Sequence, residues 1–516
     1  MNSRFTLLDA LVVVAYLAGI TALGVWAGRR QRDAKDYFVA DRAIPWWAVL
    51  LSVVASETSA LTFISIPGLA YLGDLGFLQI ATGYLLGRIV VARTLLPRYY
   101  QGELVTAYAL LEKRFGLATR RFTSIVFMVT RGLADSVRVF ATAIPIALII
   151  GPAFGATEAR DSTVMAASVL ILGLLTVLYT WKGGMKAVVW TEMVQAGVYI
   201  LGGISAIVLI GQAVPGGWGS IVDQASAAGK LRAIDFYTGF DRPHTVFAGL
   251  IGGAFLSMAS HGADQMIVQR LLSSRSLRDA QRAIIGSGVA VILQFALFLM
   301  IGVGLFVLYG GREFPAADAI FPTFIIERMP PGLVGLIVAA IVAATMSTHS
   351  GAINSLAAAT THDIYLPLTK RRADAPETLR MGKLFALAWG VVLTLGALLF
   401  PDDPRLPVVV VALGIASFTY GALLGGFFLG IFWRRAEQRD AITGMAVGIF
   451  CMAFIVFARP IGAWLPGLAP TLKPFASIAW PWYVLIGTSI TVLTGILSSL
   501  THPPAVVPAR TAEAAA

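Results

Sequence analysis

The 516-residue chain has few charged residues and only one cysteine. Charged residues make up 13% of the sequence, whereas a typical soluble domain has about 25%. So few charges cannot cover a surface that faces water, which excludes a soluble globular protein. The lone Cys451 excludes an internal disulfide. His261, His349 and His362 lack metal-ligand spacing on a common face, and there is no acidic phosphate-binding motif, which argues against an intramembrane enzyme.

Long apolar segments fill most of the sequence, which is 57% hydrophobic with a mean hydropathy of +0.78. A transmembrane helix needs about 20 mostly apolar residues. Their residues do not alternate with the period of two that membrane β-barrels show, so the sequence predicts an all-α polytopic membrane protein of about 13 transmembrane helices. The predicted helices span residues 5–27, 46–72, 75–97, 121–151, 163–181, 187–211, 245–263, 280–309, 332–360, 381–401, 405–432, 440–458 and 479–499.

The basic balance, +11 with a pI near 9.8, is interpreted as loop charge that sets orientation rather than as a nucleic-acid surface. With the N-terminus outside, 25 of the 39 Lys and Arg residues fall in inside segments and 10 in outside segments. This asymmetry follows the positive-inside rule. The sequence therefore predicts a multi-pass protein of a bacterial-type inner membrane, with its C-terminus in the cytoplasm.

The second predicted helix breaks its apolar pattern near its middle. Residues 55–60 (ASETSA) bring a carboxylate and three hydroxyls into the span, and Pro67 and Gly68 follow. An unwound segment there would free carbonyl oxygens that, with the hydroxyls, suit a hard cation such as sodium. The alternative is a kinked helix whose Ser and Thr bond back to their own carbonyls. Glu57 favours the functional reading, because a carboxylate in a membrane span is costly.

A second polar stretch lies at residues 344–350 (ATMSTHS). Ser347 lies roughly 22 Å along its predicted helix at 1.5 Å per residue, and the adjacent Ser347 and Thr348 can face a neighbouring helix. The alternative is close helix packing by small residues. His349 is more typical of a packing histidine than of a proton carrier.

The fourth and sixth predicted helices also carry charged residues within their membrane spans. Arg131, Asp135 and Arg138 lie on one helical face. Asp135 can bridge both arginines, yet a net positive charge remains for Glu57 or a solute carboxylate to neutralise. Glu192 lies just inside the cytoplasmic end of the sixth helix, where a solvated first turn is the alternative to a functional role.

Six groups of short motifs occur in order between about residues 36 and 444. They are DYF at 36–38 with PWW at 45–47; SA at 59–60 with PG at 67–68; GGMKAV at 183–188 with WT at 190–191; DQ at 264–265 with QR at 269–270; MST at 346–348 with NS at 354–355 and DIY at 363–365; and Gly425 with FWRR at 432–435. Together these motifs resemble the sodium/solute symporter family.

The resemblance implies a LeuT-like core of five plus five helices in an inverted repeat, with discontinuous first and sixth core helices at 46–72 and 245–263. The implied divisions are 1–30 as a peripheral N-terminal helix, 46–211 as the first repeat, 245–432 as the second repeat, 440–500 as two peripheral helices, and 501–516 as a disordered cytoplasmic tail.

The resemblance also implies a sodium site. Its ligands would be the carbonyl oxygens of Ala55, Thr58 and Ala344 and the side-chain oxygens of Ser347 and Thr348.

The solute contacts implied by the resemblance are less uniform. The candidates are Ser56, Glu57, Ser59, Gln79 and Arg131. Leu61-Thr62, where sugar carriers of the family have a polar pair, argues against a sugar. Arg131 is similar to the arginine that the family's sialic acid carriers use for a carboxylate. Glu192 stands where the family usually has Asp and is the candidate for sodium release, while Asp135 and Arg138 are salt-bridge candidates.

The function that the sequence favours is sodium-coupled secondary active import of a small polar, carboxylate-bearing solute by alternating access. The expected partners are the solute, Na⁺ and the lipid bilayer. One alternative is a proton-coupled carrier of the same fold, loaded at Glu57, Glu192 or His349. Another is a membrane sensor of a solute.

Overall fold

The computed structural model describes residues 5–29, 31–58, 60–102, 104–151, 155, 162–314, 317–400 and 408–503. In this part of the chain the structure is helical, and its only β-type pairing is an isolated bridge between Ile44 and Ser274. The α-helices are, in chain order, α1 (Leu7–Ala27), α2 (Ala34–Val39), α3 (Trp46–Glu57), α4 (Ala60–Leu72), α5 (Phe77–Tyr99), α6 (Tyr108–Phe115), α7 (Leu117–Ile150), α8 (Ser162–Ala213), α9 (Gly217–Ala227), α10 (Gly253–Gly262), α11 (Gln265–Leu272), α12 (Leu277–Leu308), α13 (Ala317–Arg328), α14 (Leu333–Ala359), α15 (Leu366–Thr369), α16 (Pro376–Leu398), α17 (Val408–Phe432), α18 (Gln438–Val456), α19 (Ala458–Trp464), α20 (Ala469–Ala476) and α21 (Trp482–Leu500).

The prediction of an all-helical, multi-pass protein is confirmed. Within the described residues, eight helices are long and apolar enough to cross a membrane, or nine if α3 and α4 form one bent span. Every predicted span overlaps a helix, but the spans 163–181 and 187–211 lie in one segment, α8. The count of thirteen therefore stays a prediction. The proposed tail at 501–516 lies largely outside the described residues.

The span predicted to unwind at 46–72 is interrupted. Helix α3 ends at Glu57, and Thr58 adopts an extended backbone with φ −80° and ψ 116°. The axes of Trp46–Glu57 and Thr62–Leu72 differ by 64°. A break of this kind leaves main-chain groups without helical hydrogen bonds, which is costly in lipid. In membrane transporters such discontinuous helices form the binding sites for substrate and ions.

A second interruption separates α10 from α11. Helix α10 ends at Gly262, and Asp264 has an extended backbone and accepts a hydrogen bond from Met266 N at 2.8 Å. Asp264 is thus the N-cap of α11, and its negative charge lies where a helix N-terminus favours an anion.

The long segment α8 kinks at Gly184, whose φ of 56° and ψ of −152° suit glycine alone. The chain that follows α1 fills this kink. The Tyr37 hydroxyl lies 3.2 Å from the Thr180 carbonyl oxygen and 3.1 Å from that of Trp181. Gln31 donates to Lys182 O at 2.8 Å. Carbonyls released by the kink therefore keep hydrogen-bond partners, as buried backbone requires.

Helix α14 lies in the centre of the fold, and nearly all of its residues are buried. Its N-terminus is capped from outside the helix by α1. Asp9 Oδ1 accepts hydrogen bonds from Gly332 N and Gly335 N, both at 2.7 Å, while Asp9 Oδ2 accepts from Thr6 N at 2.8 Å. One buried carboxylate therefore caps the first turns of two helices.

We expect Asp9→Ala to destabilise the protein by about 1–2 kcal/mol, because loss of a capping side chain costs about that much and the first turns of α1 and α14 both lose their hydrogen bonds to Asp9. Asp9→Asn, which keeps an acceptor oxygen, should cost less. The midpoint of heat denaturation of the purified protein measures both. Asp223→Ala, on the exposed side of α9, is the control. Equal midpoints for Asp9→Ala and the control would contradict the capping role.

Candidate functional site

The hydroxyl pair on α14 lies at the interrupted span. Helix α14 contacts both α3 and α4. Ser347 is fully buried, and among the described residues its Oγ has no hydrogen-bond partner. Thr348 Oγ1 donates to Ala344 O at 3.2 Å, so these two oxygens already lie on one side of the helix and close together. A buried hydroxyl without a partner is uncommon and calls for a ligand.

The α3 side of this region contributes Ala55 and Thr58, which are both buried. The Thr58 hydroxyl donates to Val54 O at 2.9 Å and accepts from Gln294 Nε2 at 2.7 Å. Its side chain is therefore already used, which leaves its carbonyl as the possible ligand. Carbonyl and hydroxyl oxygens are what hard cations prefer, so the donor set fits sodium.

Glu57, at the end of α3, is in an ion pair rather than alone in the span. Its carboxylate contacts Arg88 of α5, and His261 Nε2 of α10 lies 3.6 Å from Glu57 Oε2. Arg88 also donates to Ser287 Oγ at 2.7 Å. Glu57 therefore does not neutralise Arg131, because it pairs with the buried Arg88 of α5. The Glu57 side chain keeps 18% exposure, which leaves part of the carboxylate accessible.

Arg131 pairs with the acid of the second interruption. Its Nη2 contacts Asp264 Oδ2, and it also donates to the Tyr420 hydroxyl at 3.0 Å. Tyr420 in turn donates to Asp264 Oδ2 at 2.7 Å. The two interrupted spans thus share a design: each carries a carboxylate at its break, and an arginine from a neighbouring continuous helix neutralises it.

The ladder in which Asp135 bridges Arg131 and Arg138 is not present. Among the described residues, Asp135 lies within 4 Å of neither arginine, and its Oδ2 is instead 2.6 Å from His349 Nδ1 of α14. Asp135 faces α14, while Arg131 reaches the α10–α11 break. His349 is therefore a buried partner of Asp135, which is close to the packing role considered for it from sequence.

Glu192 is fully buried and does not occupy a solvated helix start. Arg270 of α11 binds it through two nitrogens, with Nη2 2.5 Å from Oε1 and Nε 3.1 Å from Oε2. The Ser52 hydroxyl donates to the same carboxylate. Ser56 Oγ lies 3.1 Å from Glu192 Oε1 and 2.7 Å from Ser52 O. The ion pair joins α8 to α11, and the two serines join α3 to the same cluster.

Gln79 lies in the first turn of α5 and holds the segment at residues 235–244 in place. Its Nε2 donates to Gly76 O and His244 O, each at 3.1 Å, and its Oε1 accepts from Asp235 N at 3.1 Å. Burial lowers the pKa of the neighbouring His244 imidazole. A solute contact at Gln79 stays a prediction that would require these bonds to break. Ser59 lies outside the described residues.

Sequence reasoning missed Arg88, Ser52, Tyr420 and the site roles of Asp264 and Arg270. Asp264 and Arg270 stand within a motif that carried the family resemblance, but nothing in that motif says which helix they face. Arg88 is fully buried in a predicted membrane helix. An arginine there is costly without a partner, so that cost was the available signal for it.

A model of the sodium:solute symporter family matches residues 37–448. The chain belongs to the sodium:solute symporter family. It is 29% identical to the sodium/sialic acid symporter SiaT of Proteus mirabilis (strain HI4320), over 97% of this chain and 96% of that protein. It is also 29% identical to the human sodium/iodide cotransporter, over 83% of this chain and 66% of that protein.

The solved structure of a Na⁺-coupled sialic acid symporter, in a substrate-bound outward-open state, superposes with a TM-score of 0.82. The alignment covers 97% of this chain and 99% of that one at 28% identity. The fold is therefore LeuT-like, as the sequence predicted.

Membership of the sodium:solute symporter family makes this protein a multi-pass membrane transporter coupled to Na⁺, and not an enzyme. The comparisons therefore favour a sodium-coupled transporter over the two alternatives considered from the sequence, a proton-coupled carrier and a solute sensor. The small-molecule solute and the sodium ion are its expected partners.

Proposed function

We propose that this symporter imports a small carboxylate-bearing solute with sodium, by alternating access between the two sides of the membrane. The observation that carries the proposal is the buried Ser347 hydroxyl on α14, which has no partner in the part of the chain that the structure describes. Helix α14 contacts both parts of the interrupted α3–α4 span. An oxygen in that state is ready to take a cation, and sodium bound there would tie α14 to α3.

The proposed sodium ligands are the carbonyls of Ala55, Thr58 and Ala344 and the hydroxyls of Ser347 and Thr348. All five residues are buried, so a bound ion would be shielded from water and its attraction to each oxygen strengthened. Thr348 would exchange its bond to Ala344 O for the ion, which then contacts both oxygens. Glu192 is proposed to assist release once the pair with Arg270 opens.

The proposed contact for the solute carboxylate is Arg131, with Ser56, Glu57, Ser59 and Gln79 as further candidates. Arg131 is 5% exposed and comes from a helix beside the α10–α11 break. Sialic acid, which the similar symporter of Proteus mirabilis carries by name, has a carboxylate. A guanidinium binds such a group through charge-assisted hydrogen bonds.

The energetics connect the solute charge to the number of sodium ions. One charge crossing 100 mV is worth about 2.3 kcal/mol, and a tenfold sodium gradient about 1.4 kcal/mol. One sodium moving with a neutral solute therefore supports an accumulation of several hundredfold. A monoanion carried with one sodium moves no net charge and gains only the chemical gradient, so the response of uptake to membrane potential reports whether further sodium ions take part.

The arrangement we propose for the chain is a five-plus-five repeat with 46–211 and 245–432 as its halves, a peripheral helix in 1–30 and two peripheral helices in 440–500. This proposal is supported by a feature that the two halves share. Each half begins with an interrupted span, and an acid paired with an arginine lies at the interruption. We further propose that the N-terminus lies outside and the C-terminus in the cytoplasm, on the asymmetry of basic residues.

Uptake of labelled sialic acid, lactate and iodide into proteoliposomes, with and without a sodium gradient, tests the proposed function. We expect sodium-stimulated uptake of a carboxylate. Stimulated uptake of iodide alone would replace the carboxylate with an inorganic anion, and uptake that ignores sodium and follows a proton gradient would contradict sodium coupling.

Arg131→Gln is expected to raise the half-saturating concentration of a transported carboxylate by about tenfold to a hundredfold, because a charge-assisted contact of about 1.5–3 kcal/mol is lost. Uptake kinetics in proteoliposomes measure the change, with the exposed Arg372→Gln as control. An unchanged half-saturating concentration for every transported carboxylate would assign Arg131 a structural role only.

A further inference from the structure

The guanidinium proposed to bind the solute already holds a carboxylate that belongs to the protein. Arg131 Nη2 contacts Asp264 Oδ2, and the Tyr420 hydroxyl lies between them, 2.7 Å from Asp264 Oδ2 and 3.0 Å from Arg131 Nη2. The three side chains are at most 9% exposed. A carboxylate from outside that binds Arg131 at Nη2 therefore has to replace Asp264 there.

A second hydrogen bond can hold Asp264 after it separates from Arg131. Its other oxygen, Oδ1, accepts from Met266 N at 2.8 Å at the N-terminus of α11. Released from Arg131, the carboxylate stays at a helix end that favours negative charge. The exchange keeps the guanidinium paired throughout, which avoids the large cost of a buried unpaired charge.

The neighbouring acid, Asp135, does not pair with Arg131 in the structure. Asp135 lies one helical turn from Arg131, but its Oδ2 is held 2.6 Å from His349 Nδ1 on α14. Glu57, the acid of the other interruption, contacts Arg88. In the described part of the chain, Asp264 is thus the acid that pairs with Arg131.

We propose that Asp264 is an internal competitor for Arg131, which it occupies when no solute is bound, and that an anionic solute binds by displacing it. This inference rests on the proposed function. Displacement breaks the tie between α7 and the α10–α11 break, so part of the solute's binding energy goes into freeing the interrupted span. Asp264 and Tyr420 are then positioning residues that couple binding to movement.

Asp264→Asn tests the proposal, because asparagine keeps an oxygen for the α11 cap but removes the competing charge. With purified full-length protein in sodium, we expect sialic acid or lactate to bind about tenfold more tightly or better, while the transport rate falls. Lactamide, which lacks the charge, should gain nothing. Asp135→Asn, which neutralises a nearby acid paired elsewhere, should not tighten binding. Equal or weaker carboxylate binding by Asp264→Asn would overturn the proposal.

A second arm does not depend on the natural solute. Asp264→Ala leaves a space beside Arg131, and formate should fill it and raise the midpoint of heat denaturation, whereas formamide and chloride should not. The double variant Arg131→Gln/Asp264→Ala should lose the response to formate.

These two arms separate the inference from the proposed function. Wild-type protein that takes up no carboxylate with sodium would contradict the proposed function, and the formate response would still decide whether Arg131 accepts an external carboxylate in place of Asp264. Sodium-driven carboxylate uptake together with no formate response in Asp264→Ala would overturn the internal competitor alone.

Discussion

Replacing Ser347 and Thr348 together by alanine is expected to abolish the sodium stimulation of uptake at ordinary sodium concentrations. The two hydroxyls are proposed ligands, and loss of two charge-assisted contacts of about 1.5–3 kcal/mol each would raise the half-saturating sodium concentration more than about a hundredfold. Uptake measured over a range of sodium concentrations, with the amount of inserted protein quantified, gives the result.

The matched control for this double variant is Ser355→Ala. Ser355 is a buried serine of the same helix whose hydroxyl bonds back to Ala352 O at 3.1 Å, so its loss removes a hydroxyl without removing a proposed ligand. We expect normal sodium dependence for the control. If the Ser347–Thr348 double variant behaved in the same way, the sodium site would have to lie elsewhere.

Arg270→Met is expected to destabilise the protein by about 3–5 kcal/mol, because it leaves Glu192 as a buried charge without its partner. Both side chains are fully buried. Adding Glu192→Gln to Arg270→Met should recover much of that loss, since no charge is then left unpaired. Midpoints of heat denaturation for the two single variants and the double variant form a double-mutant cycle that isolates the pair.

The exposed pair between Arg372 and Asp374 provides the contrast, with Arg372 83% exposed. Arg372→Met should change stability by less than about 0.5 kcal/mol, as exposed ion pairs contribute little. Similar losses at Arg270 and Arg372 would show that the buried pair is not a structural tie.

For transport, Glu192→Gln should slow turnover more than it weakens solute binding, and equal losses would contradict a part in sodium release.

The helices and their interruptions could be predicted because their causes are local. Long apolar runs predict spans, and the polar segment at 55–60 marked the break that Thr58 now shows. The resemblance to a family added the second interruption and the hydroxyl pair on α14. The apolar runs and the polar segment can each be read from a short stretch of sequence, whereas the resemblance rests on short motifs spread from about residue 36 to 444.

The pairing of charges could not be predicted in the same way. Glu192 and Arg270 are 78 residues apart, and Arg131 and Asp264 are 133 apart. Which partner a buried charge takes depends on which helices are neighbours and which faces they present, and helical periodicity gives only the face on its own helix. Asp135 shows the limit: it shares a face with Arg131 by spacing, yet it pairs with His349 of α14.

The carboxylate that caps both α1 and α14 also sets an order of events during synthesis. Asp9 and Gly332, whose N–H donates to it, are separated by 323 residues. At about 5–20 residues per second, a ribosome needs roughly 15–65 s to add them. During that interval Asp9 can cap only the first turn of α1, and the start of α14 gains this cap only once α14 lies beside α1.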